Sequence, residues 1–249
     1  MNGEGILGSA AVRERAPFLT AVWSHLLMVT FAVPDRVLAP FLPPGCVPDR
    51  WEGQGLASLV AFDFQDTRVK GVGVPGFRNF PEWNLRIYVR HGEDRGVAFV
   101  REYVPNPVVA GIARTVYGEP YRVAKFVSTR EEGAGRFTIT HRMRAEGHWH
   151  VASVEARVPP IPLPAEGLAP FLTEQQWGYG RTRTGRLLRY RVEHPSWRIY
   201  PVEDWNLSVD FARLYGRRWS CLQDAEPLSI LLAEGSAVTV FNREVLPSA

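Results

Sequence analysis

Lysine is nearly absent from this chain of 249 residues. Of its 29 basic side chains only two are lysines, Lys70 and Lys125, and the rest are arginines. Arginine stays protonated in proteins and cannot act as a nucleophilic amine, so chemistry that needs an amine has two candidates. The arginines are scattered and the net charge is only +3, which argues against a nucleic-acid partner, because nucleic acid is bound by clustered positive charge.

Cysteine and long apolar runs are also scarce. The two cysteines, Cys46 and Cys221, lie far apart, which argues against a disulfide framework and against a zinc site built on cysteine spacing. The longest apolar run, Phe18–Val33, is interrupted by Ser24 and His25 and is too short to cross a membrane. Residues 1–16 do not have the pattern of a signal peptide. The sequence therefore predicts a cytoplasmic protein with no membrane partner.

Familiar fingerprints of catalysis and cofactor binding are missing as well. We find no phosphate-binding loop and no dinucleotide fingerprint, and Ser24 and Ser58 lack the context of a hydrolase nucleophile. His148 and His150 share a strand face and His141 lies on the predicted partner strand. Whether they meet depends on the hairpin register, and no aspartate or cysteine completes a metal set. We predict no cofactor and no metal, with surface or partly buried histidines.

The chain does have the composition of a globular domain. Hydrophobic residues make up 45% and charged residues 22%, so a sizeable core can form. No repeat or low-complexity tract divides it, and the proline-rich stretch 159–164 joins segments of the same β character. We predict a flexible lead over residues 1–17 and a single domain over residues 18–249.

Strand patterns dominate this domain. Besides residues 80–90, strands are predicted at Ala21–Phe31, Leu56–Phe64, Val97–Val104, Tyr121–Thr129, Arg136–Arg144, His148–Val158, Gln176–Thr182, Leu187–His194, Asn206–Phe211 and Leu228–Phe241. Short helices are predicted at residues 34–41, 107–117 and 168–175. The second has an N-cap, Asn106, a proline in its first turn and a terminating glycine, Gly118.

The segment Phe80–Arg90 has a period of two, which is typical of a strand. One face is apolar, and the other carries a polar ladder of Glu82, Asn84, Arg86 and Tyr88. The residues alone leave two interpretations open. The ladder is either a solvated strand face or a wet interior, in which Arg86 holds a carboxylate or phosphate in bidentate fashion.

Several stretches of the chain together carry a resemblance to a known family. They are Val33-Pro34-Asp35 with Leu38, Leu42-Pro43, the segment from Phe80 to Val89, Gly118-Glu119-Pro120-Tyr121, Phe171-Leu172-Thr173-Glu174, and His194 with Trp197. In this order they resemble the uncharacterised YqjF-like family of the acetoacetate decarboxylase-like superfamily. The resemblance implies an α+β, mostly antiparallel fold: a closed β-barrel or double sheet around a cavity, with a few short peripheral helices.

Better-known members of this superfamily act on β-keto acids through a lysine imine. Aligned on their Pro-Lys-Lys motif, this chain has Tyr121 and Arg122 in the two lysine positions, and Arg114 matches an arginine of the preceding helix. Neither Tyr121 nor Arg122 can form an imine. Lys125 lies about 13 Å along the same predicted strand and offers an alternative amine, unless it simply extends into solvent.

We predict a protein that binds a compact, acidic organic molecule in a cavity enclosed by strands. The site residues are Glu82, Tyr121 and Lys125 as catalytic candidates, and Asn84, Arg86, Tyr88 and Arg114 as ligand-binding candidates. One alternative is a lyase or hydratase that uses acid–base chemistry, or an imine on Lys125, in the same cavity. Another is a structural or interaction protein with a filled core. A homo-oligomer is compatible with the resemblance, because relatives assemble.

Overall fold

The computed structural model describes residues 16–247, so residues 1–15 of the predicted lead lie outside the described residues. The strands are β1 (Pro17–Ala32), β2 (Val47–Pro48), β3 (Arg50–Trp51), β4 (Gln54–Val69), β5 (Phe80–His91), β6 (Asp94–Val104), β7 (Tyr121–Val123), β8 (Lys125–Gly133), β9 (Arg136–Ala145), β10 (His148–Arg157), β11 (Ile161–Pro162), β12 (Trp177–Arg181), β13 (Leu187–Glu193), β14 (Arg198–Tyr200), β15 (Val202–Ser208), β16 (Ser229–Phe241) and β17 (Glu244–Val245). The helices are α1 (Asp35–Leu38), α2 (Pro107–Val116), α3 (Leu168–Thr173) and α4 (Phe211–Tyr215), with 3₁₀ turns at Ala39–Phe41 and Arg217–Leu222.

Thirteen strands form one sheet whose hydrogen-bonded path returns to its start. The order β16-β1-β4-β5-β6-β12-β13 is closed by the pairing of β13 with β16. The pairs within this seven-strand ring are antiparallel, except that β6 and β12 run parallel. A closed ring leaves its main strands without exposed edges and encloses an interior. The predicted class, mostly antiparallel with a few short helices, is confirmed.

A second sheet, in the order β15-β10-β9-β8, packs against the outside of the ring. The main hydrophobic core lies between the two. It includes the apolar side of β5, with Trp83, Leu85 and Ile87, and inward side chains of the second sheet such as Ile139 and Val154. A separate cluster, with Leu26, Met28, Val60 and Phe62 among its members, lies on the opposite face of β1 and β4, inside the ring. Strand β5 is therefore buried on both faces.

Local signals in the sequence place several elements correctly. Asn106 caps α2, where its side-chain oxygen accepts hydrogen bonds from the backbone of Val108 and Val109, and Gly118 takes a left-handed conformation with φ of 69°. The predicted hairpin around residues 146–147 is also confirmed. Both turn residues, Glu146 and Gly147, have positive φ, as a two-residue hairpin loop requires.

Two predicted strands are wrong in ways that matter. The segment predicted as one strand from residue 121 to 129 is broken at Ala124: β7 pairs with β6 in the large sheet, whereas β8 pairs with β9 in the second sheet. The segment 206–211 ends as a strand at Ser208, because Asp210 caps α4 by accepting a hydrogen bond from the backbone of Arg213. Alternation alone does not show which sheet a strand joins.

Among residues 16–247, no helix is long and apolar enough to cross a membrane.

Candidate functional site

The ring encloses a cavity of about 300 Å³. Each of the seven ring strands contributes at least one lining residue, and α2 contributes Val108, Val109, Ile112 and Ala113. Most of the wall is apolar and aromatic. The polar side chains are concentrated on β5, β6 and the segment that follows α2, so that one region of an apolar cavity carries most of the chemistry.

The polar ladder of β5 faces this cavity. Glu82, Asn84 and Arg86 line it, whereas the alternating residues between them point into the core shared with the second sheet. Tyr121, at the start of β7, lines the same cavity and donates a hydrogen bond from Oη to Glu82 Oε2 at 2.8 Å. Asn84 donates from Nδ2 to Glu82 Oε1 at 3.0 Å. Of the two interpretations left open by the sequence, the interior face is the one observed.

Glu102 joins this group because β6 contains a bulge. Leu85 is paired with Arg101 but Arg86 with Phe99, so Val100 is an extra residue in β6. A bulge shifts the alternation by one position, and both Phe99 and Glu102 consequently line the cavity. Glu102 then lies opposite Asn84 on β5 and beside Tyr121 on β7. A simple period of two over β6 gives the wrong face for this residue, and the sequence prediction missed it.

Glu119 is a third buried carboxyl group in the cavity wall. It lies in the loop between α2 and β7 and accepts a hydrogen bond from Tyr190 Oη on β13 at 3.0 Å. The ring of Tyr190 lies across Gly178 of β12, where any side chain would collide with it. Glu119 belongs to the stretch that carries the family resemblance, and this was the signal available in the sequence.

Enclosure changes the acidity of these groups. Burial raises the pKa of Glu82 to about 7, against the hydrogen bonds from Asn84 and Tyr121 that lower it. Burial likewise raises the pKa of Glu119 to about 8. The pKa of Glu102 rises well above its usual range through burial and repulsion from Glu119 and Glu82. Burial and the neighbouring carboxylates also raise the pKa of Tyr121. At neutral pH, Glu119 is therefore mostly protonated and Glu82 partly protonated, and the same influences favour the protonated form of Glu102.

Arg86 is the buried cation of the cavity. Its guanidinium donates from Nη2 to the carbonyl oxygen of Leu172 at 3.1 Å and to Tyr88 Oη at 3.4 Å. Within the described part of the chain, no carboxylate lies within ion-pair distance of Arg86. Its Nε likewise makes no hydrogen bond to any of residues 16–247. One charged group thus faces the cavity without a counterion from the chain.

Three predicted site residues lie outside the cavity lining. Tyr88 is buried and hydrogen-bonded to Ser58 Oγ at 2.7 Å. Because it also accepts a hydrogen bond from Arg86, it helps to position that guanidinium. Arg114 is exposed on α2, where its Nε donates to the carbonyl oxygen of Ala110. Lys125 is exposed at the start of β8, because the change of sheet at residue 124 carries it away from Tyr121. The structure corrects the placement of all three.

Two histidines of the second sheet are buried beside the hydrophobic core. His141 and His150 are buried and lie on one side of the hairpin, since His141 is opposite Ala152 and His150 opposite Met143. Burial lowers the pKa of His141 to about 3, and its Nδ1 is hydrogen-bonded to Ser128. Among the described residues, no group of three or more potential ligands is placed to hold a metal ion.

The sequence matches a family of proteins without an established activity. The DUF2071 family, described as an uncharacterized conserved protein, matches residues 20–237. The uncharacterized protein YqjF of Bacillus subtilis (strain 168) is 26% identical over 182 residues, which are 73% of this chain and 74% of that protein.

The fold resembles that of acetoacetate decarboxylase and related enzymes. The crystal structure of acetoacetate decarboxylase from Legionella pneumophila matches with a TM-score of 0.65 and 14% identity, over 93% of this chain and 88% of that one. The enduracididine biosynthesis enzyme MppR, complexed with pyruvate, matches with a TM-score of 0.66 and 17% identity, over 96% and 94%. An acetoacetate decarboxylase-like enzyme from Sphingomonas wittichii RW1 matches with a TM-score of 0.65 and 15% identity over the full length of both. The predicted acetoacetate decarboxylase-like fold is confirmed.

The buried carboxyl groups predict how stability depends on pH. Between the ordinary pKa of 4.5 and the folded value of about 8 for Glu119, the folded protein binds more protons than the unfolded chain. The free energy of unfolding therefore falls as the pH rises through this window. Glu119→Gln removes one titrating group and keeps an acceptor for Tyr190, so the fall should become shallower in urea unfolding measured from pH 5 to 8.

The matched control for this measurement is Glu166→Gln, at an exposed glutamate outside the cavity lining. We expect that control to retain the wild-type slope. An unchanged slope in Glu119→Gln would contradict the assignment of Glu119 as a proton-holding group.

Proposed function

This chain belongs to the DUF2071 family of uncharacterized conserved proteins, and on that premise we propose that it binds a small organic acid in the cavity. The observation that carries the proposal is Arg86: a buried guanidinium that lines the cavity and has no carboxylate partner among residues 16–247. A buried charge is costly unless it is paired. A carboxylate is the complement of a guanidinium, because the two can form parallel charge-assisted hydrogen bonds.

The three carboxyl groups of the cavity do not oppose an anionic ligand. With pKa values of about 7 for Glu82 and about 8 for Glu119, and with the pKa of Glu102 raised well above its usual range, these groups are largely or partly neutral at pH 7. Neutral carboxyl groups donate hydrogen bonds instead of repelling negative charge. The wall around them is mainly apolar, so the rest of the ligand is expected to be a hydrocarbon skeleton.

The size of the cavity favours a compact ligand. A volume of about 300 Å³ is at the lower end of small-molecule sites. The similarly folded enzyme MppR was solved with pyruvate, a small carboxylic acid, which supports the same ligand class here. The open interior also favours binding over the alternative of a structural protein with a filled core. A cytoplasmic location and homo-oligomerisation stay predictions.

The binding proposal predicts a response that depends on Arg86. In a thermal-shift assay with short carboxylic acids, each tested beside its amide, we expect the acids and not the amides to stabilise the protein. At about 100 times Kd, linkage gives about 2.7 kcal/mol, which raises the Tm of a chain of this size by roughly 5–10 °C.

Two arginine variants make that assay specific. Arg86→Gln is expected to abolish the shift, because it removes the only charge proposed to hold the ligand. Arg114→Gln is the matched control, since Arg114 is exposed and outside the lining, and it should retain the wild-type shift. The proposal fails if no acid stabilises the wild type, or if Arg86→Gln responds as the wild type does.

A second candidate function is acid–base catalysis on the bound acid, as in a lyase or hydratase. The hydrogen bond between Tyr121 Oη and Glu82 Oε2, together with the pKa of about 7 for Glu82, favours it. A general acid or base is most effective when its pKa lies near the working pH. Glu82 would remove or return a proton next to the ligand carbonyl, and the hydrogen bond from Tyr121 would hold the carboxylate of Glu82 in place.

Proton exchange on a model acid tests this candidate. With pyruvate in D₂O, we expect the wild type to accelerate the exchange of the methyl protons, followed by NMR. Glu82→Gln should lower that rate by about 10²–10⁴, the usual contribution of a general base, and Glu166→Gln should leave it unchanged. Equal rates for wild type and Glu82→Gln would rule out Glu82 as the base.

We further propose that the chain does not use imine chemistry. Both of its lysines, Lys70 and Lys125, are exposed and neither is a cavity-lining residue, whereas an imine-forming amine must be neutral and close to the bound carbonyl. Borohydride reduction in the presence of pyruvate should therefore leave the protein mass unchanged. A reduced adduct on either lysine, located by peptide mass spectrometry, would overturn this part of the proposal.

A further inference from the structure

Four buried side-chain oxygens of cavity-lining residues have no hydrogen-bond partner among residues 16–247: Thr67 Oγ1, Asn84 Oδ1, Glu102 Oε2 and Gln175 Oε1. Asn84 Oδ1 and Glu102 Oε2 are the two that belong to residues paired across neighbouring strands. Only 3% of Asn84 and 2% of Glu102 is exposed, and both side chains line the cavity. The two residues lie directly opposite each other on β5 and β6, and the bulge at Val100 puts Glu102 on this face. Unpaired buried polar atoms are rare, since each costs about 1–3 kcal/mol.

The chemistry of these two atoms differs. The amide nitrogen of Asn84 is already used to donate to Glu82, which leaves Oδ1 as an acceptor that needs a donor. Burial and the neighbouring Glu119 raise the pKa of Glu102 and so favour its protonated form, in which Oε2 can donate a hydrogen bond as well as accept one. A hydroxyl group can satisfy both at once, because it donates one hydrogen bond and accepts another. A ketone leaves Oδ1 unpaired, and a methylene group leaves both atoms unpaired.

We propose that the ligand is a hydroxy acid, with its carboxylate on Arg86 and its hydroxyl group between Asn84 and Glu102. This inference rests on the proposed function, because it takes the position of the carboxylate from it. It adds the second recognition element and therefore names the substrate class.

The spacing of the two groups restricts the position of the hydroxyl. Asn84 and Arg86 are two residues apart on one strand face, which is roughly 7 Å along the strand. The Nη2 of Arg86 donates to Tyr88 Oη, which lies further along β5 in the direction away from Asn84, and to the carbonyl oxygen of Leu172 on α3. A 2-hydroxy acid carries both groups on adjacent carbons and cannot reach both partners. The hydroxyl is therefore on the third carbon or a later one.

A positional series of ligands tests the inference on the wild-type protein. Calorimetric titration with hexanoate and its 2-, 3-, 4- and 5-hydroxy derivatives should give the tightest binding for one of the 3- to 5-hydroxy acids. That acid should bind about tenfold more tightly than hexanoate, which is the effect of pairing one or two buried polar atoms. The 2-hydroxy acid should bind no more tightly than hexanoate, and the 4-oxo acid should not reproduce the gain.

Asn84→Leu removes the acceptor while keeping a side chain of similar size. Its ratio of Kd values, hexanoate over the preferred hydroxy acid, should fall from about ten to about one, with melting curves to verify that the variant is folded. Arg114→Gln should keep the wild-type ratio.

Each outcome of the series supports or overturns a definite claim. Equal binding of hexanoate and all its hydroxy derivatives to the wild type overturns the hydroxy-acid inference and leaves the proposed binding of acids intact. Tightest binding of the 2-hydroxy acid also overturns it. If none of these acids binds the wild type, or if Arg86→Gln binds them as the wild type does, the proposed function fails and the inference fails with it.

Discussion

The pairing of β13 with β16 is the interaction on which the candidate site depends. It joins only Val192 to Val240 and Glu193 to Thr239, yet it closes the seven-strand ring. An open sheet would leave the polar face of β5 beside bulk water, where carboxyl groups ionise at their ordinary pH. Closure places the same side chains in a surrounding of low polarity, which favours the neutral form of an acid. The unusual acidity of the site is thus a consequence of topology.

The stability needed to enclose so many polar groups comes from the other side of the same strand. Trp83, Leu85 and Ile87 alternate with the ladder residues and are fully buried against the second sheet. Burial of side chains of this size contributes roughly 1.5–3 kcal/mol each, which offsets part of the cost of desolvating the polar face. Strand β5 therefore anchors the structure with one face and carries the recognition chemistry on the other.

The sequence predicts local structure well wherever a short-range signal exists. A few neighbouring residues determine the cap at Asn106, the turn at Gly147 and the alternation of β5. The alternation correctly grouped Glu82 with Asn84 and Arg86. Glu82 and Tyr121, which are far apart in the chain and hydrogen-bonded in the structure, were grouped through the family resemblance, whereas other contacts between distant residues were missed. The change of sheet at residue 124 moved Lys125 away from Tyr121, although the pattern on both sides is that of a strand.

The direction in which the Glu102 side chain points depends on the number of residues in β6 as well as on their identity, because Val100 is an extra residue in this strand. Every side chain between Phe99 and Glu102 could be exchanged for another without turning the carboxyl group away from the cavity, as long as the bulge remained. If the bulge were lost while Val100 stayed in the strand, Arg101 would lie opposite Asn84 in place of Glu102, whereas loss of the bulge together with Val100 would leave Glu102 opposite Asn84. The bulge and its extra residue can therefore be gained or lost only together if the acid is to keep facing the cavity, and a relative that lacks one residue at this point of β6 can still carry the same carboxyl group on the same face.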